Sequence, residues 1–235
     1  AVSRLTEVLI LSPRQRTAFE KYYPGCEPRL HQVPPGISVD RRVDAIDKGI
    51  GTQLRIELGL GLNTKLLLQV GSGFRVKGVD RALRAMAALP KPQLENCHYL
   101  LIGQDNPDRY LRLAKKLGIA EQFTVLPGRD DIPRFLAAAD LLLHPAYSES
   151  AGYMLLEATI AGLPVLTTST CGYAFHIEHA ESGLVCNDPF EQAQLNSYLA
   201  RMLGDLDTAD WSKNGLEYGK QDELYYGCCA RSKRY

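Results

Sequence analysis

Two glutamates, Glu149 and Glu157, stand with seven residues between them in "HPAYSESAGYMLLEATIAGLPVLTT" (144–168), across Gly152 and a Met-Leu-Leu run. An acidic residue near a helix start is ordinary, because it complements the helix dipole, and that suffices for Glu149 taken alone. Glu157 is less ordinary, since it lies between Leu156 and Ala158 on a helix of apolar composition. A carboxylate so placed can accept two hydrogen bonds from a vicinal diol, as acidic residues do for ribose. Gly152 lets a ligand approach the backbone, and the N–H groups of the first helical turn are available to phosphate or hydroxyl oxygens. The combination is more specific than either glutamate.

A second stretch, "VGSGFRVKG" (70–78), carries Gly73 and two cations, Arg75 and Lys77, immediately before a helix. It is neither a P-loop, because Gly78 rather than Ser or Thr follows Lys77, nor a dinucleotide fingerprint, because Val76 stands three places after Gly73. Cations at a helix start oppose the dipole unless an anion joins them, and a phosphate would resolve the conflict. A solvated turn with two bases is the plainer alternative. Arg129 in "PGRDD" (127–131) sits at another strand-to-helix junction, either lining a base pocket or solvated beside a cap, and Arg41 is ambiguous by itself. His144 follows three leucines and reads as a buried structural histidine. The remaining histidines show no metal-ligand spacing.

These residues need elements to hold them. Short apolar runs at 7–11, 29–33, 65–70, 98–103, 123–127, 141–145, 164–168 and 183–186 are continuous rather than alternating, as in strands covered on both faces. Helical patterns fall between them. Ser12-Pro13 is a start signal, and Val79, Ala82, Leu83 and Met86 share one face of a helix over 78–89. Similar patterns span 130–140, 152–162 and 190–203. This rhythm predicts an α/β fold, a Rossmann-like parallel sheet with helices on both faces, whose ligands gather at the carboxyl ends of the strands.

With 235 residues, 45% of them hydrophobic, the chain can bury a full core. Zero formal net charge argues against a nucleic-acid partner. No apolar run approaches the ~20 residues of a membrane span. The six cysteines lack a C-x-x-C spacing and read as reduced thiols of a cytoplasmic protein. Residues 1–28 form one βα unit, expected to be the remnant of a preceding domain. Residues 29–205 are expected to form the Rossmann-like domain, and 206–235 a loosely docked C-terminal tail.

Together the motifs resemble a known family. "E-S-A-G-Y-M-L-L-E" resembles the E-x7-E motif of retaining glycosyltransferases of the GT-B fold. "AGLPVLTT" is similar to that family's "GLPV" strand, "VPPGISVD" to its interdomain loop, and "KGVDRAL" to its phosphate loop. The likeness runs from about residue 5 to residue 205, and within the family the wording is most similar to enzymes that glucosylate heptose in the lipopolysaccharide inner core. The chain would then be the C-terminal, donor-binding domain, with the acceptor held by a domain that precedes it.

The resemblance implies roles. Glu157 would hold the ribose diol, Glu149 the hydroxyls of the transferred sugar, and Lys77 the diphosphate, with Arg41 near phosphate and Arg129 beside uracil. Ser150, Ala151, Gly152, Tyr153 and Met154 would form the backbone cradle. Close relatives carry a base where this chain has Val76. Either Arg75 reaches the phosphate from one step earlier, or Lys77 and Arg41 act alone. Transfer would proceed with retention and without a metal or other cofactor, on the expectation that the chain lacks the Asp-x-Asp of metal-dependent transferases. The implied partners are UDP-glucose or a similar nucleotide sugar and a core heptose. The implied location is cytoplasmic, with a peripheral place on the cytoplasmic face of the inner membrane as the alternative. The resemblance leaves open an ADP- or GDP-sugar donor, or a catalytically silent nucleotide-sugar-binding module. The piece alone is expected to be inactive.

Overall fold

The computed structural model describes residues 7–38, 48–61, 63–204 and 208–225. The chain opens with β1 (Val8–Ile10), α1 (Pro13–Tyr22) and β2 (Leu30–Gln32). Ser12 Oγ accepts from Gln15 N–H at 3.3 Å and Pro13 occupies the first turn, so the start signal works as read. β2 pairs in parallel with β1 and does not join the larger sheet. The boundary expected at Arg29 therefore cuts through a two-stranded unit, which buries Ile10, Cys26 and Leu30 in a small core of its own.

The larger sheet holds β3 (Lys65–Val70), β4 (Cys97–Ile102), β5 (Phe123–Leu126), β6 (Leu141–His144), β7 (Val165–Thr168) and β8 (Gly183–Cys186). All are parallel, in the order β5-β4-β3-β6-β7-β8. The apolar runs split by alternation, because successive side chains leave opposite faces of a strand. Leu67, Tyr99, Leu101, Leu141 and Leu143 face one core. Leu66, Leu68, Leu100, Ile102 and Leu142 face the other. Two-sided covering is why these strands are mostly apolar on both faces, with Gln69, His144, Thr167 and Thr168 as buried polar exceptions near their carboxyl ends.

The first face is covered by α3 (Val79–Ala87), α5 (Asp108–Leu117) and α9 (Gln192–Met202), with the short α4 (Lys91–Glu95) leading into β4. Val79, Ala82, Leu83 and Met86 are all fully buried, as their spacing predicts. On the second face lie α6 (Ile132–Ala138), α7 (Tyr153–Ile160) and α8 (Ala174–Ala180), joined by α2 (Lys48–Glu57) through Leu54.

The tail departs from expectation. α10 (Thr208–Tyr218) packs along α7, Trp211 enters the first core, and Tyr218 Oη lies 2.7 Å from His176 Nδ1. Over the described residues 208–225 it is docked rather than loose. Its apolar residues are too sparse to show periodicity, but single large rings anchor it.

Candidate functional site

The chain leaves β3, builds β4 and β5 outward on one side, then returns to lay β6 on the other side of β3. Loops after β3 and β6 diverge there, and a crevice at such a switch point is where open α/β sheets bind ligands. Lys77 comes from the first loop and Glu149 from the second. Lys77 Nζ is hydrogen-bonded to Glu149 Oε2. The side chains are 20% and 16% exposed, so two sequence motifs 72 residues apart meet in one half-buried ion pair. Burial lowers the Lys77 pKa, with Cys171 acting in the opposite sense.

Both loops are held firmly. Gln69, fully buried in β3, donates from Nε2 to Lys77 O at 2.7 Å and accepts from Tyr99 Oη. Gly78 has φ +71°, and a Cβ there would lie 2.0 Å from Pro145 O, so the two loops can press together only through glycine. Arg81 locks this contact. Its guanidinium lies 3.6 Å from the ring centres of both Tyr147 and Phe190, and it donates to Ala146 O at 3.1 Å. The Glu149 segment is laced to the loop after β7. Glu149 O accepts from Gly172 N–H (2.9 Å) and Ala151 O from Tyr173 N–H (2.7 Å). The hydroxyls of Thr168 and Thr170 donate to Ala146 O, each at 2.8 Å.

Between Glu149, whose N–H donates to Thr170 O, and Leu155, whose N–H donates to Gly152 O, no backbone N–H is committed to a described partner. Ser150, Ala151, Gly152, Tyr153 and Met154 thus present free donors at the start of α7, the anion-favouring end of a helix. Gly152 takes φ +98° to make the turn. Tyr153 is exposed and set edge-on to Tyr173 at 5.3 Å, while Met154 packs into the second core. Glu157 lies one turn further, half-buried, on the face of α7 that Tyr153 begins.

Other expected residues fall differently. The N–H groups of Gly73 and Phe74 donate to the Asp105 carboxylate at 3.0 and 2.8 Å, so an internal anion caps the glycine loop. Sequence reasoning missed Asp105 because it belongs to the loop after β4. Arg75 and Val76 are both exposed. Arg129 is closed on itself, donating from Nε and Nη2 to the two oxygens of Asp131 at 2.7 and 2.9 Å. It shares no contact with Lys77 or Glu149 among the described residues. Arg41 lies outside the described residues. The expectation that the chain lacks an Asp-x-Asp needs correction, since Asp205-Leu206-Asp207 is one; it follows α9 in the sequence and lies outside the described residues. Among the described residues no three His, Cys, Asp or Glu side chains converge as a metal ion would require, and no helix is long and apolar enough to cross a membrane.

This arrangement has counterparts among known proteins. The family model of the glycosyl transferases group 1 matches residues 52–218. Lipopolysaccharide glucosyltransferase WaaG of Escherichia coli (strain K12) is 42% identical over 222 residues, 94% of this chain and 59% of that protein. A D-inositol 3-phosphate glycosyltransferase of Nocardia farcinica is 32% identical over 188 residues, 76% of this chain and 41% of its own length. The chain therefore spans roughly half of the curated relatives it matches. The crystal structure of WaaG superposes with a TM-score of 0.88 at 41% identity, covering 94% of this chain and 60% of that one. Anabaena HepE, solved with UDP-glucose, shares the fold at TM-score 0.77 and 21% identity, over 93% of this chain and 59% of its own. A family match over most of the described sheet, and a solved relative with the same fold at high identity, make this chain a member of the group 1 glycosyl transferases.

Proposed function

We propose that this chain is the donor side of a retaining glucosyltransferase, binding UDP-glucose for transfer to a heptose of the lipopolysaccharide core. The observation that supports it best is the Lys77–Glu149 pair at the switch point, beside uncommitted N–H groups at the start of α7. A diphosphate entering there draws Lys77 off Glu149 and accepts from the α7 N–H groups. Glu149 is then released toward the sugar hydroxyls, and Glu157 accepts from the ribose diol. As the sugar–phosphate bond breaks, charge grows on the departing UDP oxygens, and a fixed cation with preorganised N–H groups stabilises it without a metal ion. The acceptor approaches on the face that UDP leaves, so the anomeric configuration is retained. The relative that is 42% identical is by name a lipopolysaccharide glucosyltransferase, which favours glucose and the core acceptor over other choices. The same reading places the protein in the cytoplasm, against the inner membrane where its acceptor is made.

In this reading the donor residues line one edge of a single sheet, so the chain alone binds donor without transferring it. A second wall is needed to set the acceptor hydroxyl roughly 3–3.5 Å from the anomeric carbon, positioning worth ~7–11 kcal/mol of barrier. The test is calorimetry and thermal shift with UDP, ADP, GDP and NAD, in the presence and absence of EDTA. UDP should bind most tightly and EDTA should not matter. A ligand at 100 times its Kd adds about 2.7 kcal/mol of stability, which is easily read. Preference for ADP or GDP would replace the donor, and a strict Mg²⁺ requirement would overturn the mechanism.

A further inference from the structure

His144, the last residue of β6, has a side chain only 2% exposed, and neither ring nitrogen makes a hydrogen bond to any described residue. A buried polar ring without partners costs free energy and calls for an explanation. The other buried imidazole, His176, has one nitrogen against Tyr218 Oη. His144 Nε2 instead lies 3.5 Å from Glu149 Oε2, the oxygen that Lys77 occupies. The backbone of His144 is fixed, its carbonyl accepting from the Thr167 hydroxyl and from Ala146 N–H, both at 2.9 Å.

Resting on the proposed function, we propose that His144 is a positioning residue for Glu149, donating from Nε2–H to its carboxylate once Lys77 has turned to the diphosphate. Burial, helped by the Lys77 charge, pushes the imidazole pKa down to about 3, so the ring is neutral and carries one proton. A carboxylate beside Nε2 selects the tautomer with the proton there. While Lys77 holds Oε2, the ring stands back. When Lys77 leaves, a small approach to ordinary hydrogen-bond length, about 2.9 Å, supplies a replacement donor in the same place. Glu149 then keeps its aim at the sugar and does not follow Lys77 toward the phosphate. No proton is transferred, because the ring holds its proton throughout.

UDP and UDP-glucose separate this role from general damage, since only the second carries the sugar that Glu149 faces. The experiment measures both affinities for the wild-type chain, His144→Phe and His144→Gln. Phe keeps the volume without a donor, while Gln places an amide N–H near the Nε2 position. The UDP-glucose to UDP affinity ratio should fall about tenfold in His144→Phe, the effect of losing one hydrogen bond to a charged group, and return in His144→Gln. An unchanged ratio in His144→Phe, or failure of Gln to restore it, overturns the inference. Wild-type chain that binds neither ligand overturns the proposed function and this inference together. If His144→Phe does not fold, nitrogen-detected NMR of the wild-type histidine rings decides. UDP-glucose should give an Nε2–H resonance shifted by hydrogen bonding, and an Nδ1–H tautomer overturns the assignment.

Discussion

Two cation–carboxylate pairs lie at the carboxyl edge of the sheet, and they behave differently. Arg129 and Asp131 are two residues apart, joined by two parallel bonds and 35% and 32% exposed. Arg134 adds a further bond to Asp131 and a bidentate one to Glu57, so the cluster laces α6 to α2. Lys77 and Glu149 come from distant segments, are more buried, and share one oxygen with a neutral imidazole close by. The first pair is complete in itself. The second is built to exchange partners, because each member has an alternative in the proposed reaction. A cation at a strand end is therefore not a ligand site until its existing partner is known.

The largest expected effect of breaking the exchangeable pair is on turnover. In the protein completed with an acceptor-binding domain, Lys77→Ala should lower kcat by ~10²–10³-fold, or ~2.7–4 kcal/mol, as loss of one transition-state charge partner does. KM for the donor should change much less, since the pull of Lys77 grows as phosphate charge develops. Steady-state kinetics decide: a change in KM alone reduces Lys77 to a binding residue.

Next comes Glu157→Ala, which should weaken UDP binding by ~1–3 kcal/mol by removing the ribose acceptor. Calorimetry reads this directly, and an unchanged Kd removes Glu157 from the site.

Acid separates the two clusters in a third way. His144 has a folded pKa of about 3 and His176 of about 4, both lowered first by burial. The unfolded imidazole, with pKa ≈ 6.5, takes a proton that the folded ring refuses, so stability falls as pH drops below that value. For His144 the loss between pH 7 and pH 5 should be about 2 kcal/mol, and urea unfolding of His144→Gln should lack that share. Asp131 has the opposite form. Hydrogen bonding from Arg129 lowers its pKa to about 2, so its contribution is present above the unfolded value and is lost progressively as pH falls from there through about 2. A wild-type curve flat from pH 7 to pH 5 would contradict the burial of both histidines.

Much of this was legible in the sequence, for stated reasons. The runs at 65–70 and 183–186 became strands with those bounds, because a short, mostly apolar run between turns has few other uses. Gly152 and the start of α7 were legible because a glycine before an apolar helix marks its own turn. What could not be read was pairing across the chain. Nothing near Gly73 announces Asp105, and nothing near Lys77 announces Glu149. Arg81 carries no sequence signal of its own, yet its place between Tyr147 and Phe190 ties α3 to two loops. The order of the sheet, which makes the switch point, is likewise invisible to periodicity.

The smallest expected effect is the sharpest test of the comparison. Family resemblance puts Arg129 beside the uracil, whereas the structure spends the Nε/Nη2 edge of its guanidinium on Asp131 and sets it over Phe135, 5.1 Å from the ring centre. To meet a base through that edge, Arg129 would have to leave a bidentate partner. Among the described residues only Arg134 would then remain bonded to Asp131, and it already serves Glu57. Arg129→Ala should therefore leave the affinities for UDP and UDP-glucose unchanged, with only a slight loss of thermal stability that high salt erases, as for an exposed ion pair. A selective loss of UDP affinity would show instead that this pair, too, opens for a ligand, and that closure in the free chain does not distinguish a structural arginine from a binding one.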